Sequence, residues 1–157
     1  MRSVKSVEFD KGFVLRVCWM DGTEGLVNLV GLVERSRHFK VFLDHPEEFR
    51  DVKVVGNGIG IEWENGLDYS AESLWRMLEL QRPVQGKFFQ DWMELLNISN
   101  QEAADVLGVS LATVKKYRGG SPIPRPTVLA CKAIAENKDA VYALYRPRRA
   151  GRPELHN

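Results

Sequence analysis

Apolar and polar residues alternate along Val4 to Phe9 and again along Phe13 to Trp19, the period of strands with one buried face. Asp10-Lys11-Gly12 between them predicts a hairpin turn. Met20-Asp21-Gly22 predicts a second turn, leading into a strand over 23–29. Leu29 to Glu34 reads as a short helix. Phe39, Val41, Phe42 and Leu43 form an apolar patch, and Asp44-His45-Pro46 opens a helical turn through Phe49. Two more strands, 52–55 and 59–63, flank Gly56-Asn57-Gly58, whose Asn-Gly pair favours a tight turn. Asn65-Gly66 turns the chain again.

A helical pattern then begins at Ser70. Leu74, Trp75, Met77 and Leu78 recur at helical spacing, with Ser70 or Asp68 as the cap. Gln81-Arg82-Pro83-Val84-Gln85-Gly86 breaks that helix. Beyond it, Phe88, Trp92, Leu95 and Leu96 share one arc of a helix. Ser99 and Glu102 stand at capping-box spacing for the next, and Ser110 opens a third. Pro126 suits the first turn of a fourth, which runs through Val128, Leu129, Cys131, Ile134 and Ala135. A fifth is predicted over 139–145. The expected architecture is α+β. Residues 1–81 form a strand-rich α+β domain, 82–86 a linker, 87–145 an all-α domain, and 146–157 a basic tail without fixed structure.

The chain has 157 residues, 44% hydrophobic and 27% charged, a globular balance that excludes a disordered or membrane class. No apolar stretch approaches the roughly 20 residues of a spanning helix. The opening Met1 to Glu8 lacks an apolar signal core, so a cytoplasmic protein is expected. Cys18 and Cys131 lie in apolar contexts far apart in sequence and read as reduced, buried thiols. The net charge of +1 hides an asymmetry. Residues 1–80 carry 10 basic and 14 acidic residues, a net of −4; residues 81–157 carry 12 and 7, a net of +5. The positive half therefore suits a polyanion.

That half also holds the densest motif. From Asn100 the chain reads Asn-Gln-Glu-Ala-Ala-Asp-Val-Leu-Gly-Val-Ser-Leu-Ala-Thr-Val-Lys-Lys-Tyr-Arg-Gly-Gly to Gly120. Ala103, Ala104 and Leu107 are core positions of one helix, Gly108 permits a positive φ, Val109 is an apolar plug, and Ser110 caps the next helix. This is the pattern of a helix-turn-helix, whose second helix enters the major groove of DNA. At about 100° per residue, Val114 and Tyr117 face the core while Ala112, Lys115 and Lys116 face outward. Leu111 and Arg118 lie on the flank. Apolar side chains there can touch thymine methyls, and lysines can reach guanine acceptors or phosphates. Arg118 suits a phosphate, as do Asn100 and Gln101 at the start of the preceding helix. The candidate DNA-binding residues are Asn100, Gln101, Ser110, Leu111, Ala112, Thr113, Lys115, Lys116 and Arg118. The partner is double-stranded DNA. A homodimer on a palindrome is expected, through Val141, Tyr142, Leu144 and Tyr145 or through the first domain.

Residues 87–137 resemble the lambda-repressor-like, or Xre-type, helix-turn-helix family. The resemblance implies a phosphate-contacting amide at Asn100 or Gln101 and recognition positions at Leu111, Ala112, Lys115 and Lys116. The family ends its recognition helix in Trp-Glu-x-Gly; here Tyr117-Arg118-Gly119-Gly120 stands instead, and Arg118 reverses the charge of the Glu. Leucine and alanine at two reading positions imply modest base specificity. The first half is similar to domain-of-unknown-function family 2442. Asp21-Gly22, Gly31 to Glu34, Phe42 to Phe49 and Ile61 to Tyr69 carry that likeness. Such domains, paired with a helix-turn-helix, imply a transcriptional regulator, in one version an antitoxin.

Other readings carry less. His38, His45 and His156 are too few and too scattered for a metal site, and His45 before Pro46 suits a cap or the surface. Glu62 and Glu64 alternate with Ile61 and Trp63, the solvent face of a strand. Gly56, Gly58 and Gly60 lie between two strands, so they lack the strand-to-helix setting of a nucleotide loop. No enzyme, cofactor or metal is expected. Ala150-Gly151-Arg152-Pro153 resembles part of a minor-groove AT-hook, though a solvated basic tail is the plainer account. The rival function is an adaptor whose first domain binds a small partner protein through its aromatics, Phe39, Phe42, Phe49 and Trp63. A packed core is the commoner fate of such residues.

Overall fold

The computed structural model describes residues 1–147. The chain divides into two compact units, Met1–Arg82 and Pro83–Asn157. The first is α+β and the second all-helical.

In the first unit, β1 (Val4–Lys11), β2 (Val14–Trp19) and β3 (Glu24–Asn28) form an antiparallel sheet in that order. Leu15, Val17 and Trp19 of β2 point inward and are buried, whereas Arg16 on the opposite face is exposed, as a two-residue period requires. Two short helices follow, α1 (Val30–Arg35) and α2 (Val41–Asp44), then a 3₁₀ turn over Pro46–Arg50. A second antiparallel sheet comprises β4 (Val52–Val55), β5 (Gly60–Trp63) and β6 (Asp68–Ser70). The long helix α3 (Ala71–Gln81) packs on β3 and on the second sheet. Ser70 caps it by accepting the Ser73 N–H.

Three details differ from expectation. The first hairpin turns at Gly12 and Phe13 instead of Asp10-Lys11-Gly12, because Lys11 pairs with Val14 and Gly12 takes the left-handed position at φ 51°. Asp68 is not a cap: it pairs with Glu62 in β6, a strand too short to leave a period in the sequence. Cys18 is only half-buried, since it sits on the outer face of β2.

The core of this unit is aromatic. Phe42, Phe49 and Trp63 are fully buried and mutually in contact, with ring centroids 5.2 to 5.5 Å apart. Phe39 closes over Trp63 at 5.8 Å, and the Trp63 indole donates to the Phe49 carbonyl at 3.0 Å. These four residues therefore line the core, not a partner-binding surface. Rings of this size supply much of a small unit's hydrophobic burial. Trp19 and Trp75 meet edge to face at 5.1 Å, and the Arg2 guanidinium lies 3.4 Å from the centroid of Trp75.

The second unit comprises α4 (Phe88–Leu96), α5 (Asn100–Leu107), α6 (Leu111–Arg118), α7 (Arg125–Glu136) and α8 (Asp139–Ala143). Its core gathers Phe89, Trp92, Met93, Ile98, Ala103, Ala104, Val114 and Cys131. The Trp92 indole donates to the Cys131 carbonyl at 2.8 Å, tying α4 to α7. Pro124 is the N-cap of α7, so Pro126 falls in its first turn, where a missing N–H costs nothing.

Candidate nucleic-acid interface

The helix pair α5 and α6 is built by local rules. Ser99 accepts the Glu102 N–H at 3.2 Å, and the Glu102 carboxylate accepts the Ser99 N–H at 3.1 Å, a complete capping box. At the far end, Gly108 adopts φ 67°, stopping α5 in a left-handed turn. Its N–H returns to the Asp105 carbonyl at 3.3 Å, and the Val109 N–H to the Ala104 carbonyl at 3.1 Å. Val109 is half-buried against the core. Ser110 then caps α6 by accepting the Thr113 N–H at 3.1 Å. Its hydroxyl also shares a hydrogen bond of 2.9 Å with that of Thr113. Val106 is buried in α5 as well, alongside the expected Ala103 and Ala104, while Leu107 is half-buried against the core.

On α6, Val114 is fully buried and Tyr117 half-buried, its ring 5.4 Å from that of Phe89. Ala112, Lys115 and Lys116 are exposed on the opposite side. Leu111 and Thr113 are half-buried on either flank. The outer surface of α6 thus offers a small methyl in its first turn and two ammonium groups in the next. An exposed alanine lets the helix backbone approach another surface closely. Lysines with their heads in water are free to pair with an anion.

The far ends of the pair are joined. Arg118, the last residue of α6, donates through Nη1 to Oδ1 of Asn100, the first residue of α5, at 2.9 Å. Arg118 and Asn100 are 18 positions apart in the chain, and nothing in residue type or spacing announces the bond. Gln101 follows Asn100 in the first turn and is half-buried. Of the residues expected at a dimer surface, Tyr142 (81%), Leu144 (48%) and Tyr145 (53%) are exposed. Val141 is instead packed against the core of its own unit. Arg146 donates its backbone N–H to the Asp105 carboxylate at 3.3 Å. The AT-hook-like Ala150-Gly151-Arg152-Pro153, the rest of the basic tail from Arg148 onward, and His156 lie outside the described residues.

Two further groupings occupy the first unit. A surface cavity of about 490 Å³ is lined by Met1, Arg2, Ser3, Trp19, Met20, Asp21 and Asn57. At its wall the Arg2 guanidinium donates to Asp21 at 3.0 Å. The Thr23 N–H and Arg2 together hold the Asp21 carboxyl below the usual carboxylate range. His45, Glu47 and Glu48 offer ligand atoms within 4.8 Å of one another. His45 is the N-cap residue of the 3₁₀ turn, but its ring makes no capping bond and instead stands 3.5 Å from Glu47. Acidic residues are favoured at such a turn's start, which accounts for the grouping.

Residues 4–78 match the family described as "Protein of unknown function (DUF2442)". The whole chain is similar to the crystal structure of a "putative DNA binding protein" from Nitrosomonas europaea, at 25% sequence identity and a TM-score of 0.50. That likeness covers 99% of this chain and 95% of the other. No curated protein matches the chain. Among the described residues, no helix is long and apolar enough to cross a membrane.

Proposed function

We propose that the chain is a sequence-selective DNA-binding regulator of the bacterial, lambda-repressor-like type, which lays α6 in the major groove. The observation that carries this reading is the division of α6. Val114 and Tyr117 are spent on the core, while Ala112, Lys115 and Lys116 share an outward face that the fold does not use. Asn100, Gln101 and Arg118 anchor the backbone at one side; Ser110, Leu111 and Thr113 border the reading face. The net positive charge of the second half and the end-to-end likeness to a protein described as DNA-binding support it. The adaptor reading has lost its aromatic surface, because those rings form the core.

One such module reads few base pairs, so the working species is a dimer on a palindrome. Tyr142, Leu144 and Tyr145 around α8 supply exposed apolar area for it. The test is fluorescence anisotropy of the full chain with pooled random duplexes across a salt series, followed by selection and sequencing. Palindrome enrichment, with affinity falling steeply as salt rises, is expected. So is loss of binding in the Lys115→Ala, Lys116→Ala double variant with its helicity intact. No enrichment and no binding at low salt would overturn the proposal.

A further inference from the structure

We infer that Arg118 is a positioning residue: it fixes the Asn100 amide so that the pair forms a single donor site for one backbone phosphodiester of the bound duplex. This inference rests on the DNA-binding reading above. A guanidinium has N–H groups only and cannot accept a hydrogen bond. The atom of Asn100 that faces Arg118 at 2.9 Å must therefore be the carbonyl oxygen. With Oδ1 committed to Arg118, the atom of the amide left for a ligand is Nδ2, which carries two N–H donors and no acceptor. An unrestrained asparagine would offer an approaching anion either end. Here only the donor end is presented.

The remaining N–H groups of Arg118 lie beside that amide, on an exposed side chain. Asn100 is also the first residue of α5, whose N-terminus carries partial positive charge. Glu102, the acidic residue in the first turn of α5, is turned back onto the Ser99 N–H by the capping box. The site is thus a donor cluster spanning the start of α5 and the end of α6. Phosphodiester oxygens, which are charged and only accept, are its complement. Carboxylate at position 118, where the related family has Glu, could not orient the amide in this way.

The two residues should therefore act as one. In full-length protein titrated with a fluorescein-labelled random-sequence duplex, Asn100→Ala and Arg118→Ala should each weaken binding about tenfold, the worth of one charge-assisted hydrogen bond. The double variant should weaken it by about the same tenfold, not by the roughly hundredfold of independent contacts. Arg118→Ala should also lower the salt slope by about one phosphate equivalent, since it removes the charge of the site. Asn100→Asp is the sharper probe. It keeps a partner for Arg118, and so the fold, but it replaces the remaining donor with an acceptor; affinity should fall at least as far as in Asn100→Ala. Additive losses, or Asn100→Asp binding as tightly as wild type, would overturn the inference while leaving DNA binding in place. Wild-type protein that ignores the duplex would remove the DNA reading itself, and the paired site with it.

Discussion

Gln81 closes the open edge of β3 with its side chain: its carbonyl accepts the Asn28 N–H at 2.8 Å, and its amide donates to the Asn28 carbonyl at 2.7 Å. A primary amide presents a carbonyl oxygen and an N–H side by side, as a strand residue presents its own N–H and C=O along one edge, so the last residue of α3 stands in for one residue of a neighbouring strand. Asn28 in turn uses its own Oδ1 to accept the Val30 N–H at 2.9 Å, starting α1. Gln81→Ala should destabilise the chain by about 1–2 kcal/mol, since it removes both bonds at an edge water can reach. Gln81→Glu should recover no more than the acceptor half. Denaturant midpoints with an unchanged slope would bear this out, and an unaltered midpoint in Gln81→Ala would refute it.

Gly58 and Gly108 both hold left-handed backbone, at φ 88° and 67°, yet they should respond differently to alanine. A Cβ on Gly58 would stand 2.3 Å from the Val4 carbonyl oxygen, inside the first sheet's opening strand. A Cβ on Gly108 would meet nothing within 4 Å. Gly108→Ala should therefore cost only the left-handed strain, roughly 1–2 kcal/mol. Gly58→Ala should cost about 3 kcal/mol or more, because backbone must move as well. Equal costs in thermal or chemical unfolding would contradict this contrast.

The two cysteines should separate by reactivity. Burial pushes the Cys131 thiol from its ordinary 9.0 up to about 12, and its side chain lies in the helical core. Cys18 is half-buried on a sheet face. A thiol reagent at neutral pH should modify Cys18 alone until the protein is unfolded. The raised value also fixes the sign of a pH effect. Below pH 9 both states keep the proton and stability is undiminished. Between about pH 9 and 12 the unfolded chain ionises Cys131 and the folded chain does not, so stability falls as pH rises. Cys131→Ala should flatten that decline, and identical alkaline profiles for the two proteins would refute it.

On the reading face, the methyls of Ala112 and Leu111 make a prediction about the DNA. Once a preferred duplex is selected, replacing its thymines by uracil one at a time removes a methyl and leaves base pairing intact. At least one position should lose affinity by several-fold, and Ala112→Gly should erase that difference. A duplex indifferent to every uracil would exclude methyl contacts from the mechanism.

Short-range features were the ones legible in sequence. Ser70, Ser99, Glu102 and Ser110 announce helix starts because a cap is a contact over three residues, and all four take up those bonds. The exposure of Ala112, Lys115 and Lys116 follows from helical period once Val114 is placed inside. What could not be read depends on contacts between distant residues. The Arg118–Asn100 bond and the Gln81–Asn28 pair join positions that no period relates. The first hairpin slipped by a residue because register is set by cross-strand packing as well as by turn type. β6 offered three residues, fewer than one alternation needs. The phenylalanines around Trp63 could equally have made a surface, and only the closing of two sheets and four helical segments into one core decides otherwise.

Val114 is the one side chain of α6 that is wholly enclosed. Together with Tyr117 and the Ser110 cap it fixes where the helix sits, and none of these three faces outward at the centre of the reading surface. Under the proposed DNA reading, stability and target choice are therefore written in separate letters of the same helix. Positions 112, 115 and 116 are exposed, so exchanges among good helix formers there cost folding little. On that same reading, a descendant of this chain could acquire a new target by a few such steps, each passing through a folded protein.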